Sequence, residues 1–334
     1  MKAFQVTKYS KKEQLRLTQV AEPTIAENEV LVQIHAAGVN LLDSMIKWGE
    51  FKLFLPYQTP LINGHDMAGV ITKVGAKVSK YKVGDEVFSR VADYKIGTFA
   101  EYIAVNENDL APKPKNLSMQ EAASVPLVGL TAWQALVEIA NVKKGQKVFI
   151  QAGSGGVGTF AIQLAKHLGA FVATTTSSKN IELVKSLGAD LAIDYKTQDF
   201  STLLKDYDLV LHSNREKIVL EQSLGILKKG GQLISLVGPP TPEFAQEIGL
   251  AWHLKFVTKL LSSGAKKKAE KLGVHFKFLF MRADGNQLSE ITKLIEAGII
   301  KPVIDKVFPF EQTNEALVYV ETGRAKGKVV VAIN

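Results

Sequence analysis

Apolar and polar positions alternate with a period of two in a series of short runs near the start of the chain: AFQV at 3–6, LRLTQV at 15–20, EVLVQIHAAGV at 29–39, AGVITKVG at 68–75, DEVFSR at 85–90 and FAEYIAV at 99–105. That period sends successive side chains to opposite faces of a strand. Turn formers, among them Gly75, Gly84, Asp85 and Gly97, fall between the runs. Residues 1 to about 110 therefore read as a β-rich module. Near Leu127 the pattern changes. Short apolar runs at 148–152, 171–176, 191–194, 208–212, 232–237 and 274–280 alternate with segments of helical period such as Ile181 to Leu187 and Ile218 to Leu227. Strands separated by helices predict a doubly wound parallel sheet, here of six strands. Beyond Met281 come a helix with Leu288, Ile291, Leu294 and Ile295 on one face, the strand-like KPVIDKVFP, another helix and a last strand KVVVAI. A six-stranded sheet is already complete, so these pieces are expected to return to the first module.

Composition narrows the function classes. At 334 residues, 46% hydrophobic and 22% charged, the chain has room for two globular domains. No apolar run reaches the roughly 18 residues of a membrane span. The opening MKAFQV lacks a charged-then-apolar leader, so the expected address is the cytoplasm. Zero cysteines exclude disulfides, thiolate zinc sites and cysteine nucleophiles together. The net charge of +8 comes mostly from lysine and is densest at Lys266 to Lys268, with Lys271 nearby. Aromatic residues do not interleave with these lysines and no nucleic-acid motif is present, so a solvated helix face is expected there and no nucleic-acid partner.

The chemistry-bearing stretch is KVFIQAGSGGVGTFAIQLAKHLGA at 147–170, where Gly153, Gly155 and Gly158 fall on the G-x-G-x-x-G spacing. The first glycine of that pattern allows a tight turn, the second a close approach of pyrophosphate, and the third close packing of helix on strand. Val148 to Ile150 supply the strand before it, and Phe160, Ile162, Leu164 and Leu168 the helix after it. The free N–H groups of a helix beginning near Gly156 would face the phosphates. An NAD site places an acid about 20 residues past the first glycine. Ser177, Ser178, Lys179 and Asn180 stand there instead. An ammonium and hydroxyls suit a 2′-phosphate, so the expected coenzyme is NADP(H). The less favoured reading has Ser178 merely capping a helix that starts near Asn180, with Lys179 in solvent, and capping and phosphate binding could coexist.

The β module, the AGSGGVG turn and GHDMAGVITKVG at 64–75 together resemble the medium-chain dehydrogenase/reductase superfamily, and within it the zinc-independent quinone oxidoreductases and enone (alkenal double-bond) reductases. The resemblance runs over essentially the full length, through AAGVNLLD at 36–43, VPLVGLTAWQAL at 125–136, KSLGADLAIDY at 185–195, LKKGGQLISLVGPP at 227–240 and GRAKGK at 323–328. It implies a GroES-like catalytic domain over residues 1–124, completed by 285–334, and a Rossmann-type NADP-binding domain over 125–284. It also implies a homodimer formed across the edge strand at 274–280. The zinc alcohol dehydrogenases of the superfamily hold catalytic zinc with two cysteines and a histidine, and the motifs put Asn40, His65 and Leu127 at those positions. Such a set is a poor zinc site, so no zinc is expected.

Carried onto matching positions, the resemblance brings Asn40 and Thr131 to the nicotinamide side and Gly155, Gly156 and Val157 to the pyrophosphate. It sets Ser177, Lys179 and Tyr195 around the 2′-phosphate, and Leu236, Val237, Gly238, Phe278, Leu279 and Phe280 along the nicotinamide pocket. Bland roles stand beside these. Asn40 could cap a helix with Asp43 at the reciprocal position, Tyr195 could be a surface aromatic, and Phe278 and Phe280 could pack at an edge. Met45 occupies the position of a tyrosine found in many quinone reductases, which leaves the proton donor unassigned. Relatives usually carry an acid and then paired glycines where this chain has His212, Asn214 and Arg215. Without zinc to polarise an alcohol, the expected reaction is hydride transfer from NADPH to a quinone or to the double bond of an α,β-unsaturated carbonyl. Met45, Trp48, Phe51 and Tyr57 are candidate walls for a flat apolar substrate, and core packing would also explain them. An NADPH-binding protein without turnover and an alcohol dehydrogenase-like activity are the alternatives.

Overall fold

The computed structural model describes residues 1–55 and 57–333; Pro56 and Asn334 lie outside the described residues. Its contacts divide the chain into two units, Met1–Leu130 with Arg282–Asn334, and Thr131–Met281.

The N-terminal part of the first unit runs β1 (Lys2–Val6), β2 (Arg16–Gln19), β3 (Glu29–Val39), α1 (Leu41–Trp48), β4 (Leu61–Ile62), β5 (Asp66–Val74), β6 (Glu86–Arg90), β7 (Tyr102–Asn106), β8 (Leu110–Pro112) and α2 (Met119–Ala123), and α3 (Pro126–Trp133) leads out of it. Strand β1 lies antiparallel between β2 and β4 in a small sheet. Strand β3 is buried along most of its length because β5 and β7 pair with it. Gly49 ends α1 in the left-handed region at φ 78°, which glycine adopts without a Cβ clash.

The second unit alternates strands and helices: β9 (Lys147–Ile150), α4 (Gly156–His167), β10 (Phe171–Thr176), α5 (Ile181–Ser186), β11 (Leu191–Asp194), α6 (Phe200–Leu203), β12 (Tyr207–His212), α7 (Lys217–Gly225), β13 (Leu227–Ser235), α8 (Pro242–Glu247), α9 (Trp252–Leu272) and β14 (His275–Phe278). The six strands are all parallel, in the order β11-β10-β9-β12-β13-β14. The direction of winding reverses between β9 and β12, the place where open α/β sheets bind ligands beyond their carboxyl ends. Phe149, Ala173, Val210, Leu233 and Phe276 bring five strands into one core with Leu224 and Ala269 from the covering helices.

After this unit the chain forms α10 (Gly285–Glu296), β15 (Ile304–Pro309), α11 (Thr313–Glu321) and β16 (Lys328–Ala332). Strand β16 runs antiparallel to β3, with Val330 opposite Gly38, and completes a seven-stranded sheet ordered β15-β16-β3-β5-β6-β8 with β7 also on β3.

Three details differ from the sequence reading. Helix α7 stops at Gly225, and β13 begins at Leu227 rather than 232, because Leu227 pairs with Tyr207 before a register shift absorbs the Lys-Lys-Gly-Gly segment. Strand β14 ends at Phe278, so Phe280 is outside the sheet. Strand β9 ends at Ile150, which hands Gln151 and Ala152 to the turn. Among the described residues no helix is long and apolar enough to cross a membrane.

Candidate functional site

The glycine turn follows β9 at the reversal point. Its left-handed residue is Ala152, at φ 53°, so Gly153 is not what makes the turn tight. The glycines are needed for space. A Cβ on Gly153 would meet the Thr174 hydroxyl on β10 at 2.1 Å, and one on Gly158 would meet the Ala152 carbonyl oxygen at 2.3 Å and the Gly153 Cα at 2.6 Å. Gly158 thus packs α4 onto the turn itself, and it is Gly153 that closes on a strand. Around Gly155 the nearest atom is the Ala152 oxygen at 3.3 Å, so its outward side is bare. No side chain caps α4. The N–H groups of Gly156, Val157 and Gly158 precede the first helical acceptor pairing, Thr159 N–H to Gly155 oxygen at 2.9 Å. Free donors at a positive helix end fit a pyrophosphate.

The neighbouring strand end carries the cations and hydroxyls. Thr176 closes β10, Ser177 is half-buried and Lys179 is exposed. The Thr176 hydroxyl donates to Ser154 Oγ at 3.0 Å, and Asn180 Nδ2 donates to the same atom at 3.1 Å, which ties this strand end to the glycine turn. Ser178 does not cap α5: Ser178–Asn180 form a 3₁₀ turn, and Asn180 precedes the helix without a side-chain capping bond. Tyr195, 61% exposed, follows β11 and donates its N–H to the Thr176 carbonyl at 3.2 Å. Asp194 is buried opposite Thr176, and its carboxylate accepts the Lys196 N–H at 3.0 Å.

At the ends of β12 and β13, His212 Nδ1 lies 2.9 Å from Ser235 Oγ, which also accepts the Gly238 N–H at 2.7 Å. This pair anchors Leu236, Val237 and Gly238, all half-buried. Burial lowers the His212 pKa to about 4, and its Nε2 is enclosed without a hydrogen-bond partner. Nearby, Gln151 Oε1 accepts the Ser213 N–H at 3.0 Å. Asn214 accepts the Glu216 N–H at 2.7 Å, a local turn at the entry to α7. Leu279 is buried, and Phe278 and Phe280 pack on Phe244 with ring centroids 5.3 and 5.0 Å away.

In the first unit, Asn40 caps α1. Its N–H donates to Asp43 Oδ2 at 2.7 Å, the reciprocal bond expected from their spacing. Its side chain is committed as well: Nδ2 donates to Asp66 Oδ2 at 3.0 Å, and Oδ1 accepts from the Lys328 ammonium. Lys328 Nζ also reaches Asp66 Oδ2 at 3.1 Å, and Asp66 Oδ1 accepts the Leu127 N–H at 2.8 Å. Complete burial raises the Asp66 pKa, with Lys328 the main opposing influence. His65 is fully buried, with Nδ1 2.5 Å from Asp43 Oδ1. Lys328 and Asp66 were not singled out from the sequence. Their signal lay in two quoted motifs, GHD and GRAKGK, whose charged residues needed partners if buried.

These contacts decide the fit of zinc. Leu127 offers no donor and Asn40 Oδ1 faces an ammonium, which leaves His65 alone of the three, its Nδ1 on Asp43 and its Nε2 enclosed without a partner. Among the described residues no cluster of three or more histidine or acidic side chains could hold a metal ion. The residues present do not fit the group.

The proposed substrate walls do not share one environment. Met45 and Phe51 are half-buried, Trp48 lies under the Lys11 ammonium at 5.1 Å, and Tyr57 packs against Tyr94 in a tilted contact with ring centroids 5.3 Å apart. The Tyr57 hydroxyl is buried without a partner, and burial raises its pKa. Thr131 is buried on α3.

Residues 26–115 match the family model of the alcohol dehydrogenase GroES-like domain, and residues 187–331 that of zinc-binding dehydrogenases. The chain is 36% identical over 359 residues to the mitochondrial NAD(P)H oxidoreductase RTN4IP1 of Danio rerio, covering 100% of this chain and 91% of that protein. It is 37% identical over 342 residues to 2-methylene-furan-3-one reductase of Solanum lycopersicum, covering 99% of this chain and 79% of the relative. The solved structure of a quinone oxidoreductase from Coxiella burnetii superposes with a TM-score of 0.86 at 29% identity, over 100% of this chain and 99% of the other.

Proposed function

The chain belongs to the medium-chain dehydrogenase/reductase superfamily, among its quinone and enone oxidoreductases, and from that membership we propose a zinc-independent enzyme that uses NADPH to reduce a quinone or the double bond of an α,β-unsaturated carbonyl. The observation that carries the coenzyme choice is the end of β10, where exposed Lys179 and the hydroxyl of Ser177 occupy the place of an acid and Asn180 ties them to the glycine turn. We assign coenzyme binding to Thr131–Met281 and the catalytic role to the other unit.

Bound NADPH supplies the hydride from its reduced nicotinamide. The N–H groups of Gly156, Val157 and Gly158 hold the pyrophosphate, with Gly155 keeping the approach clear and Gly153 seating the turn against β10. Ser177, Lys179 and Tyr195 bind the 2′-phosphate, and Lys179 supplies the charge that discriminates it from a bare ribose. Leu236 to Gly238 and Phe278 to Phe280 form apolar wall for the nicotinamide, and their anchoring by Ser235 and Phe244 limits reorganisation. Asn40 and Thr131 orient the nicotinamide end. No step passes through zinc.

The test is coenzyme oxidation, followed by the absorbance of the reduced nicotinamide, with an ortho-quinone and an alkyl vinyl ketone as acceptors. Turnover with NADPH is expected to survive chelation, and Lys179→Glu to lower kcat/KM for NADPH about 10- to 100-fold while sparing NADH. Binding of NADPH without turnover of either acceptor would replace the enzyme by a coenzyme-binding protein, and chelator sensitivity would overturn the metal assignment.

A further inference from the structure

Lys328 opens β16, and two acceptors hold its buried ammonium. Asn40 Oδ1 takes one N–H, and Asp66 Oδ2, 3.1 Å away, takes a second. Among the described residues the ammonium has no other partner. The polar atoms around it are all engaged. Asn40 Nδ2 donates to Asp66 Oδ2 at 3.0 Å and to the Gly38 oxygen at 3.4 Å, while Asp66 Oδ1 accepts the Leu127 N–H at 2.8 Å. An ammonium carries three donors, so one N–H of Lys328 is left over, and the other two fix its direction.

Asp66 is sealed, and the little surface left in this cluster belongs to Asn40 and Lys328, 7% and 5% exposed. Apolar side chains border it. Leu41, exposed, follows Asn40 at the start of α1, and half-buried Met45 lies one turn further on the same helix face. Leu127, half-buried, is joined to Asp66 through its N–H. A single oriented donor among apolar side chains suits an uncharged ligand with one oxygen acceptor. Asp66 already balances the Lys328 charge, so the pair offers little to a ligand that arrives as a carboxylate or a phosphate. A ketone or quinone oxygen arrives neutral and gains negative charge only as it is reduced, and a donor fixed in advance stabilises that charge.

We infer that the third N–H of Lys328 binds the carbonyl oxygen of the acceptor and stabilises the negative charge that develops there. The inference rests on the reductase reading above and names the group that activates the acceptor. As hydride reaches the β-carbon of an enone, the C=C pair becomes the bond between the α-carbon and the carbonyl carbon, and the C=O pair moves onto oxygen. Lys328 holds that enolate oxygen. A proton from water then goes to the α-carbon and the C=O bond re-forms, so Lys328 keeps its own proton throughout. In a quinone, hydride delivery leaves one oxygen as a phenolate, which the same N–H meets until water protonates it.

The experiment reads the carbonyl itself. Infrared difference spectra are taken of cyclohexenone, isotopically labelled at its carbonyl carbon, bound to the full chain with NADP⁺, which cannot reduce it. The C=O stretch is expected below its frequency in buffer, and is expected to move back up in Lys328→Met/Asp66→Asn, which removes both buried charges together. With NADPH and cyclohexenone this double variant is expected to lose about 100- to 1000-fold in kcat. Its NADPH dissociation constant, from coenzyme fluorescence, is expected to stay within about twofold of the parent value. A C=O stretch in the parent at the buffer frequency overturns the inference, and decides the matter even if the double variant does not fold. An unchanged kcat in a double variant that melts cooperatively overturns it as well. Loss of NADPH affinity with kcat intact would make Lys328 a coenzyme contact instead. Failure of the parent to oxidise NADPH with any of the acceptors removes the reductase reading and this inference with it, whereas turnover with an unshifted carbonyl removes the inference alone.

Discussion

The Asn40 side chain is held from both ends: its oxygen accepts from Lys328 and its amide donates to Asp66. Its amide is therefore held in one orientation by a buried ammonium. Removing that ammonium in Lys328→Met would strand the Asp66 carboxylate, and breaking a buried pair from one side costs about 3–5 kcal/mol. Part of the loss is expected to return in the double variant Lys328→Met/Asp66→Asn, read from urea unfolding at neutral pH. His212 gives a second expectation. Its pKa falls from 6.5 to about 4 on folding, so between those values the unfolded chain binds more protons than the folded one. Stability is then lost as pH falls from about 6.5 toward 4, by an amount on the order of 3 kcal/mol. Unfolding midpoints at pH 7 and pH 4.5 should show that loss, and His212→Asn should flatten it. The reciprocal cap of Asn40 and Asp43 was legible because it is a spacing of three. Lys328 was not, because its partner lies 288 residues away.

Elements show the same division. The strand-turn-helix around the glycines was readable from spacing and periodicity, yet the reason for each glycine was not. An alanine at 152 in the left-handed region carries no signature in the letter sequence, and the crowding at Gly153 comes from Thr174 on another strand. The distinction is testable within one turn. Gly158→Ala drives a methyl into backbone and is expected to cost about 1–3 kcal/mol or more of stability. Gly155→Ala meets only a 3.3 Å contact, so melting should barely change while NADPH affinity falls about tenfold or more, measured by coenzyme fluorescence titration. Equal loss of stability in both would remove the phosphate role from Gly155. The early start of β13 escaped sequence reading because Lys228, Lys229, Gly230 and Gly231 look like a turn, and only pairing with β12 shows the strand running through them.

At the scale of the molecule, the six-stranded sheet was legible because a fully buried parallel strand needs an apolar run and a helix on either side. The seven-stranded sheet was less so, since its order depends on pairings between distant runs, above all β16 with β3. That pairing also orders events during synthesis. Strand β3 emerges from the ribosome early, but its neighbour β16 and the ammonium for Asp66 arrive only after the whole of Thr131–Met281 has been made. Through that interval one side of β3, Ala36 to Val39, has no ladder partner on the β16 side, a sticky edge of the kind that pairs with other chains. The second unit can finish while the first waits. Early losses during production of this protein should therefore fall on the unit that was begun first.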